Sequence, residues 1–364
     1  SYEVGSIAKI DTDTDFNPFF MVKGKALTDK VDDMMSIIRE TLINTNFDDK
    51  KRLKEILLEE KAGWDLTAFD RGHVLSMVRL SSYFSKTGEF ADLLGLSYYY
   101  FLSNIVDHFD EMAESIIDKL KELSEKIFTK KNLFIYTVGG DAEKQAVEKN
   151  ADALLVGMSE GVALIKPKMI SIKKTINEAF LTSGKVQYVA KGGNFRNHGF
   201  AYNGAIRVME TILRYEYLWK QIRVLGGAFV QFMRNGNAIF CSYRDPNLVE
   251  TLNAYQGIPE YLKNLELSDR EMTKYVIGTM APEEISLTPF MRGERALGYY
   301  LGGNTKESRM KIRNEIINCT VQDIRNLAPL VKSIMEEPYI CVMGNEEKIK
   351  NNKEIFNAVL SMPK

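Results

Sequence analysis

Apolar residues recur at helical spacing from Val31 through Met34, Met35 and Ile38 to Leu42, and predict a helix over residues 32–43 with one buried face. The same spacing through Met112, Ile116, Leu120, Leu123 and Ile127 predicts a second helix over residues 110–128. Ala205, Val208, Met209, Ile212 and Leu213 mark a third, amphipathic helix. Residues 185–190, 228–233 and 237–243 read as strands, the first closed by a break at Gly192-Gly193. The last two flank Arg234-Asn235-Gly236. Asn-Gly between strand-like runs predicts a hairpin, because both residues tolerate positive φ. Thr320 and Asp323 open a helix as a capping box, and Pro329 is expected to bend it.

A longer pattern overlies these elements. Asn46-Phe47-Asp48-Asp49-Lys50 leads through a helical stretch to Arg71-Gly72-His73, and Leu267-Ser268-Asp269-Arg270-Glu271 leads through another to Arg292-Gly293-Glu294. Asp49 answers Asp269 and Arg71 answers Arg292, at offsets of 220 and 221. Upstream, Phe19 to Leu27 lies opposite Ile239 to Leu248, each a strand, a polar break and a helix start. Downstream, Leu133–Val138 before Gly139-Gly140 answers Tyr339–Met343 before Gly344, each an apolar, strand-like run closed by glycine. Such self-similarity implies two copies of one fold. Interleaved strands and long helices, with an antiparallel hairpin, point to an α+β class: two sibling domains, each a mixed, mostly antiparallel sheet with helices packed on one face. The first copy has almost nothing before its strand, so its domain is expected to be truncated at the N-terminus.

Composition narrows the partners. The chain has 364 residues, 45% hydrophobic and 27% charged, with a formal net charge of −1. Nothing in that balance attracts nucleic acid or an anionic membrane. The lysines between Lys126 and Lys131 read as a solvated helix end, and no apolar run reaches the roughly 18 residues of a membrane span. Cys241, Cys319 and Cys341 are widely spaced and odd in number, which favours reduced thiols and a cytoplasmic or other reducing compartment, with an upstream targeting signal left open.

Candidate chemistry is sparse. His73, His108 and His198 lie far apart, and neither His-x-x-Glu-His nor His-Glu-x-x-His occurs, so each reads as a surface or supporting residue and no metal is expected in this chain. There is no Gly-x-Ser-x-Gly, and the glycine pairs 192-193, 226-227 and 302-303 lack the context of a phosphate loop. A nucleotide-binding enzyme is thus the weakest reading. One place invites a role. Arg223 precedes Gly226-Gly227-Ala228-Phe229 and the hairpin, and a guanidinium beside open glycine backbone suits a peptide carbonyl or an oxyanion; an ordinary helix-terminal arginine is the alternative.

At these residues the chain resembles the presequence-protease (falcilysin-like) branch of the pitrilysin/insulinase zinc peptidases. The resemblance is carried by Val186–Asn194, Tyr217-Leu218-Trp219, Ile222-Arg223-Val224, Gly226-Gly227-Ala228 and Ser242-Tyr243-Arg244-Asp245-Pro246-Asn247, and extends over nearly the whole chain as a C-terminal half. It implies a partial third peptidase domain over 1–145, a connecting segment over 146–174 and a fourth domain over 175–364. It also implies that zinc belongs to an N-terminal half of the same polypeptide. The two halves would close around short or unfolded peptides, and this chain alone would be inactive. Arg223 stands at the position of an arginine that reaches the substrate. Six residues on, where the family has a tyrosine, this chain has Phe229. The ring is kept and the hydroxyl donor is lost, so a second reading, a non-catalytic binding or assembly module, stands beside the peptidase half.

Overall fold

A computed structural model describes residues 1–161, 176–223 and 227–363; the side chains of Phe69 and Arg223 lie outside the description, as do Gly226 and the expected linker residue Pro167. The first unit opens with an antiparallel hairpin, β1 (Tyr2–Ala8) and β2 (Phe16–Val22). Helices α1 (Val31–Ile43), α2 (Lys50–Asp70), α3 (Gly72–Ser81), α4 (Lys86–Leu93), α5 (Leu96–Asp107), α6 (Phe109–Ile127) and α7 (Asp141–Leu155) follow. Val31, Met35 and Leu42 bury the expected face of α1, largely against Leu154 of α7 and Met158.

The second unit is built on a six-stranded sheet of order β5-β6-β4-β7-β3-β8. Its strands are β3 (Glu178–Thr182), β4 (Gln187–Asn194), β5 (Gly227–Phe232), β6 (Asn237–Tyr243), β7 (Ile340–Asn345) and β8 (Ala358–Ser361). β5, β6, β4 and β7 pair antiparallel in turn, and β3 pairs parallel with β7 and β8. Between the strands run α8 (Gly204–Ile212), α9 (Val249–Gln256), α10 (Ile258–Lys263), α11 (Asp269–Met280), α12 (Pro289–Gly302), α13 (Lys306–Ile317), α14 (Val321–Arg325) and α15 (Ala328–Glu336), with α16 (Glu346–Asn351) after β7.

All eight residues of β4 are buried, as befits a strand covered on both faces. Val189, Val230, Phe240 and Val342 face the helices of their own unit, including α8 and α15. Tyr188, Ala190, Ile239, Cys241, Cys341 and Met343 face the other way, onto Leu75 and Leu80 of α3 and Leu96 and Tyr99 of α5. The first unit thus supplies the second helical layer. Glycine permits the approach: a Cβ on Gly72 would lie 2.4 Å from the Tyr188 ring and 3.1 Å from Met343 Sδ. The contact is sealed by a buried ion cluster. Arg79 donates from Nε and Nη2 to Glu178 at 2.6 and 2.9 Å and from Nη1 to Asp92 at 2.8 Å, and the Tyr83 hydroxyl donates to Glu178 at 2.7 Å.

The exchange is reciprocal. α12, which carries the matching Arg292-Gly293, packs on the first unit. The Tyr136 hydroxyl donates to Gly293 O at 2.6 Å, Phe134 stacks on Tyr300 at 6.0 Å, and Ile10 N donates to Gly302 O at 2.9 Å. A Cβ on Gly293 would meet Val138 Cγ2 at 2.2 Å. The sequence repeat is therefore realised as two helices, each lying on the sibling's sheet or extended segment.

Four local expectations are corrected. Residues 133–138 form no strand, because no described strand pairs with them. Gly192 and Gly193 lie within β4 instead of ending it; at Gly192 the neighbouring backbone comes so close that a Cβ would sit 2.3 Å from Ala238 O. Pro329 bends nothing: it sits in the first turn of α15, where its missing N–H costs no hydrogen bond. On α6 the buried stripe is Phe109, Ala113 and Ile117, while Leu123 and Ile127 are exposed at the far end.

Candidate functional site

The hairpin that carries the candidate residues forms as its sequence dictates. Gly236 takes φ +104°, Gly236 N donates to Met233 O at 3.0 Å, and Met233 N donates to Asn237 O at 2.7 Å. Phe229 then falls opposite Cys241, and Gly227 opposite Tyr243. β5 is an outermost strand of the sheet. After α8 the helix widens to π-type turns over Leu213–Tyr217 and Trp219–Arg223, an uncommon geometry that recurs at functional positions. It ends at Arg223, four residues before β5 begins at Gly227. Buried Glu210 of α8 holds the strand by accepting from Phe232 N, and burial pushes its carboxyl up to about 7.

Phe229 shares the face covered by α3. Its ring meets His73 edge-on at 5.8 Å; His73 also meets Tyr243 edge-on at 4.8 Å and lies tilted on Tyr188 at 5.9 Å. Tyr188 and Tyr243 are 5.8 Å apart. Three rings on β4, β5 and β6 therefore surround one imidazole on α3. Burial, and then the charge of Arg71, hold His73 below the usual histidine range.

The run Ser242–Asn247 explains itself as a strand-ending turn. Arg244 adopts φ +51°, a left-handed conformation unusual for a residue with a side chain, and its guanidinium lies 5.5 Å from the Tyr243 ring centre. Gln187 and Asp245 exchange backbone hydrogen bonds of 2.7 and 2.9 Å on the far side of it. The buried Asp245 carboxylate accepts from Asn247 N at 2.8 Å and from Thr251 Oγ1 at 2.6 Å. Asp245 is thus committed to the turn, while Arg244 has no carboxylate within ion-pair distance among the described residues.

The structure brings Gly227 and Phe229 together on β5 and ends the helix at Arg223 just before them. His73, Tyr188, Tyr243 and Arg244 do not stand out as site residues in the sequence. Their signal is present but weak: Tyr188 and Tyr243 each lie on the α3-facing side of a strand, and a glycine precedes His73. The other histidines lie elsewhere, His198 against Glu337 at 2.7 Å and His108 against Asn104 O at 3.0 Å. Cys241 and Cys341 are buried as thiols, both pushed up by burial. Among the described residues no group of three His, Cys, Asp or Glu side chains could hold a metal ion, and no helix is long and apolar enough to cross a membrane.

Comparison with known proteins agrees with this architecture. The family model described as "PreP C-terminal domain" matches residues 177–357, and a model for the associated domain of subfamily C of these peptidases matches residues 1–105. Among solved structures, pitrilysin aligns at TM-score 0.57 and 11% identity over 87% of this chain and 33% of its own. A peptidase M16 inactive domain from Pseudomonas fluorescens aligns at TM-score 0.55 and 14% identity over 94% and 81%. These likenesses define the fold as that of an M16-type peptidase unit. Protein HypA of Clostridium perfringens is 38% identical over 100% of this chain and 38% of its own length, and presequence protease 1, chloroplastic/mitochondrial, of Arabidopsis thaliana is 26% identical over 90% and 31%. With both segments matched, the chain belongs to the presequence-protease branch of the pitrilysin family, as a C-terminal half. It spans between about a third and two fifths of the length of these relatives.

Proposed function

We propose that this chain is the non-zinc half of a peptide-degrading zinc metalloendopeptidase, that it forms one wall of the substrate chamber, and that Arg223 reaches the active site of the other half. The observation that carries the reading is the convergence of the family match with the β5 edge. Arg223, Gly227 and Phe229 lie within one helix-to-strand connection, beside an aromatic face. Chemically, the described residues offer ring surfaces, glycine backbone and hydrogen-bond donors, the equipment for holding an extended peptide. They offer no cluster that fits zinc, so no step is routed through a metal on this chain. The N-terminal remainder of the polypeptide would supply the metal, which polarises the scissile carbonyl and activates water. Short or unfolded peptides are the substrates proposed.

The second reading is a non-catalytic binding or assembly module, favoured by Phe229, which removes a hydroxyl donor from the substrate-facing position. One experiment separates them. The chain is mixed with the separately produced N-terminal remainder and zinc, and offered an unstructured peptide of a few tens of residues. Cleavage by the mixture and by neither part alone supports the peptidase half. Association without cleavage supports the binding module.

A further inference from the structure

We propose that His73 is a substrate-facing hydrogen-bond donor of this site, contributed by the first unit to a face otherwise built by the second. The inference rests on the peptidase reading and assigns a positioning residue within it. The imidazole is held on three sides by the rings of Phe229, Tyr243 and Tyr188, at 5.8, 4.8 and 5.9 Å. Its backbone is fixed as well. Gly72 lets α3 settle onto Tyr188 and Met343, and Cys241 Sγ lies 3.8 Å from His73 O. An exposed histidine of no consequence would not be clamped in this way.

Of the two ring nitrogens, Nδ1 alone is both buried and without a hydrogen-bond partner. An orphaned buried N–H is rarer in proteins than an under-satisfied acceptor, so the proton is assigned to Nε2 and the bare lone pair to Nδ1. Burial and Arg71 keep the ring neutral near pH 7. A neutral imidazole with its proton on Nε2 is a directional donor, suited to a carbonyl oxygen and free of the desolvation cost of an imidazolium. The surroundings favour such an acceptor. Arg71 and Arg244 stand near the same cage, and neither has a carboxylate within ion-pair distance among the described residues. The partner chemistry is thus a peptide carbonyl oxygen, presented by an extended chain lying along the outer edge of β5. Phe229 has no donor of its own, and His73 is the polar side chain packed against it.

The test uses the full-length, zinc-loaded polypeptide and a quenched-fluorescence unstructured peptide. His73→Phe keeps an aromatic ring in the cage and removes the donor. It is expected to lower kcat about 10²-fold, as loss of a single positioned donor does, with KM and melting temperature little changed. Adding Phe229→Tyr places a hydroxyl on the neighbouring ring and is expected to restore at least a tenfold share of the loss. Rescue of this kind is not expected of a residue that only fills space. Wild-type kcat in His73→Phe overturns the inference and leaves the peptidase reading intact. A loss that comes with a lower melting temperature and no rescue by Phe229→Tyr also overturns it, reducing His73 to packing. If the wild-type protein cleaves no peptide, the peptidase reading fails and this inference falls with it.

Discussion

Replacing Arg79 by methionine removes a cation from between two buried carboxylates while keeping most of the side chain's length. Arg79 makes a paired contact with Glu178 at 2.6 and 2.9 Å and a third bond to Asp92 at 2.8 Å, and the three side chains are 13%, 3% and 0% exposed. Burial opposes the guanidinium charge, but the Glu178 hydrogen bond and the nearby acids hold Arg79 well above its ordinary value. Removing one partner of a buried pair leaves the other uncompensated and costs about 3–5 kcal/mol. Here two acids are stranded, each keeping one hydroxyl donor: Tyr83 to Glu178 at 2.7 Å and Ser97 to Asp92 at 2.5 Å. Those donors soften the loss, so the same range of about 3–5 kcal/mol is expected for Arg79→Met. The readout is urea unfolding of this chain in a Trp219→Phe background, followed at Trp64, which stacks on Tyr99 at 6.0 Å within the affected layer. A triple variant, Arg79→Met with Glu178→Gln and Asp92→Asn, is expected to recover most of the stability because no buried charge remains. A loss below about 1 kcal/mol for Arg79→Met would place the cluster with exposed ion pairs and refute the reasoning. So would a triple variant no more stable than the single one.

Gly72→Ala drives a methyl to 2.4 Å from the Tyr188 ring and is expected to cost about 1–3 kcal/mol in the same urea assay. Gly298→Ala on α12 meets nothing within 4 Å and is the control, expected to be neutral or stabilising by up to about 1 kcal/mol; equal effects at the two sites would refute the exchange of helices. Glu210 releases its proton near 4.5 in the unfolded chain and near 7 in the folded one, so the folded state retains a proton that the unfolded state has lost. Its contribution to stability therefore falls as pH rises from about 4.5 to about 7, by about 3 kcal/mol in all, and levels off above that. Glu210→Gln keeps an acceptor for Phe232 N and is expected to gain on the wild type across that window; urea midpoints that run parallel from pH 4.5 to 7.5 would show the carboxyl to be unperturbed.

The sequence is most legible where the physics is local. Asn235-Gly236 makes its hairpin because glycine at φ +104° fits the turn, and Thr320 with Asp323 makes its capping box because both groups lie within one helical turn. The duplication is legible as well, through Arg71-Gly72 and Arg292-Gly293. What escapes are properties that depend on distant partners. Residues 133–138 have the composition of a strand, but a strand needs a neighbour to take its backbone hydrogen bonds. Leu123 and Ile127 keep helical spacing with buried positions, yet they extend past the layer that covers Phe109, Ala113 and Ile117. His73 is inconspicuous because no residue near it in sequence could work with it. Its companions come from positions 188, 229 and 243, joined to it only when α3 lands on the other unit's sheet.

The exchange of α3 and α12 between units sets a schedule for synthesis. Leu75 and Leu80 of α3 find their apolar cover in strands that include β7 at residues 340–345, and the Tyr100 hydroxyl of α5 donates at 2.7 Å to Ser361 O of β8, the last strand described. At about 5–20 residues per second, translation leaves the underside of α3 bare for roughly 15–60 s after it emerges. The first unit cannot complete its packing on the ribosome ahead of the second. The nascent chain is thus exposed, for most of the time needed to make it, to whatever binds unfinished hydrophobic surfaces.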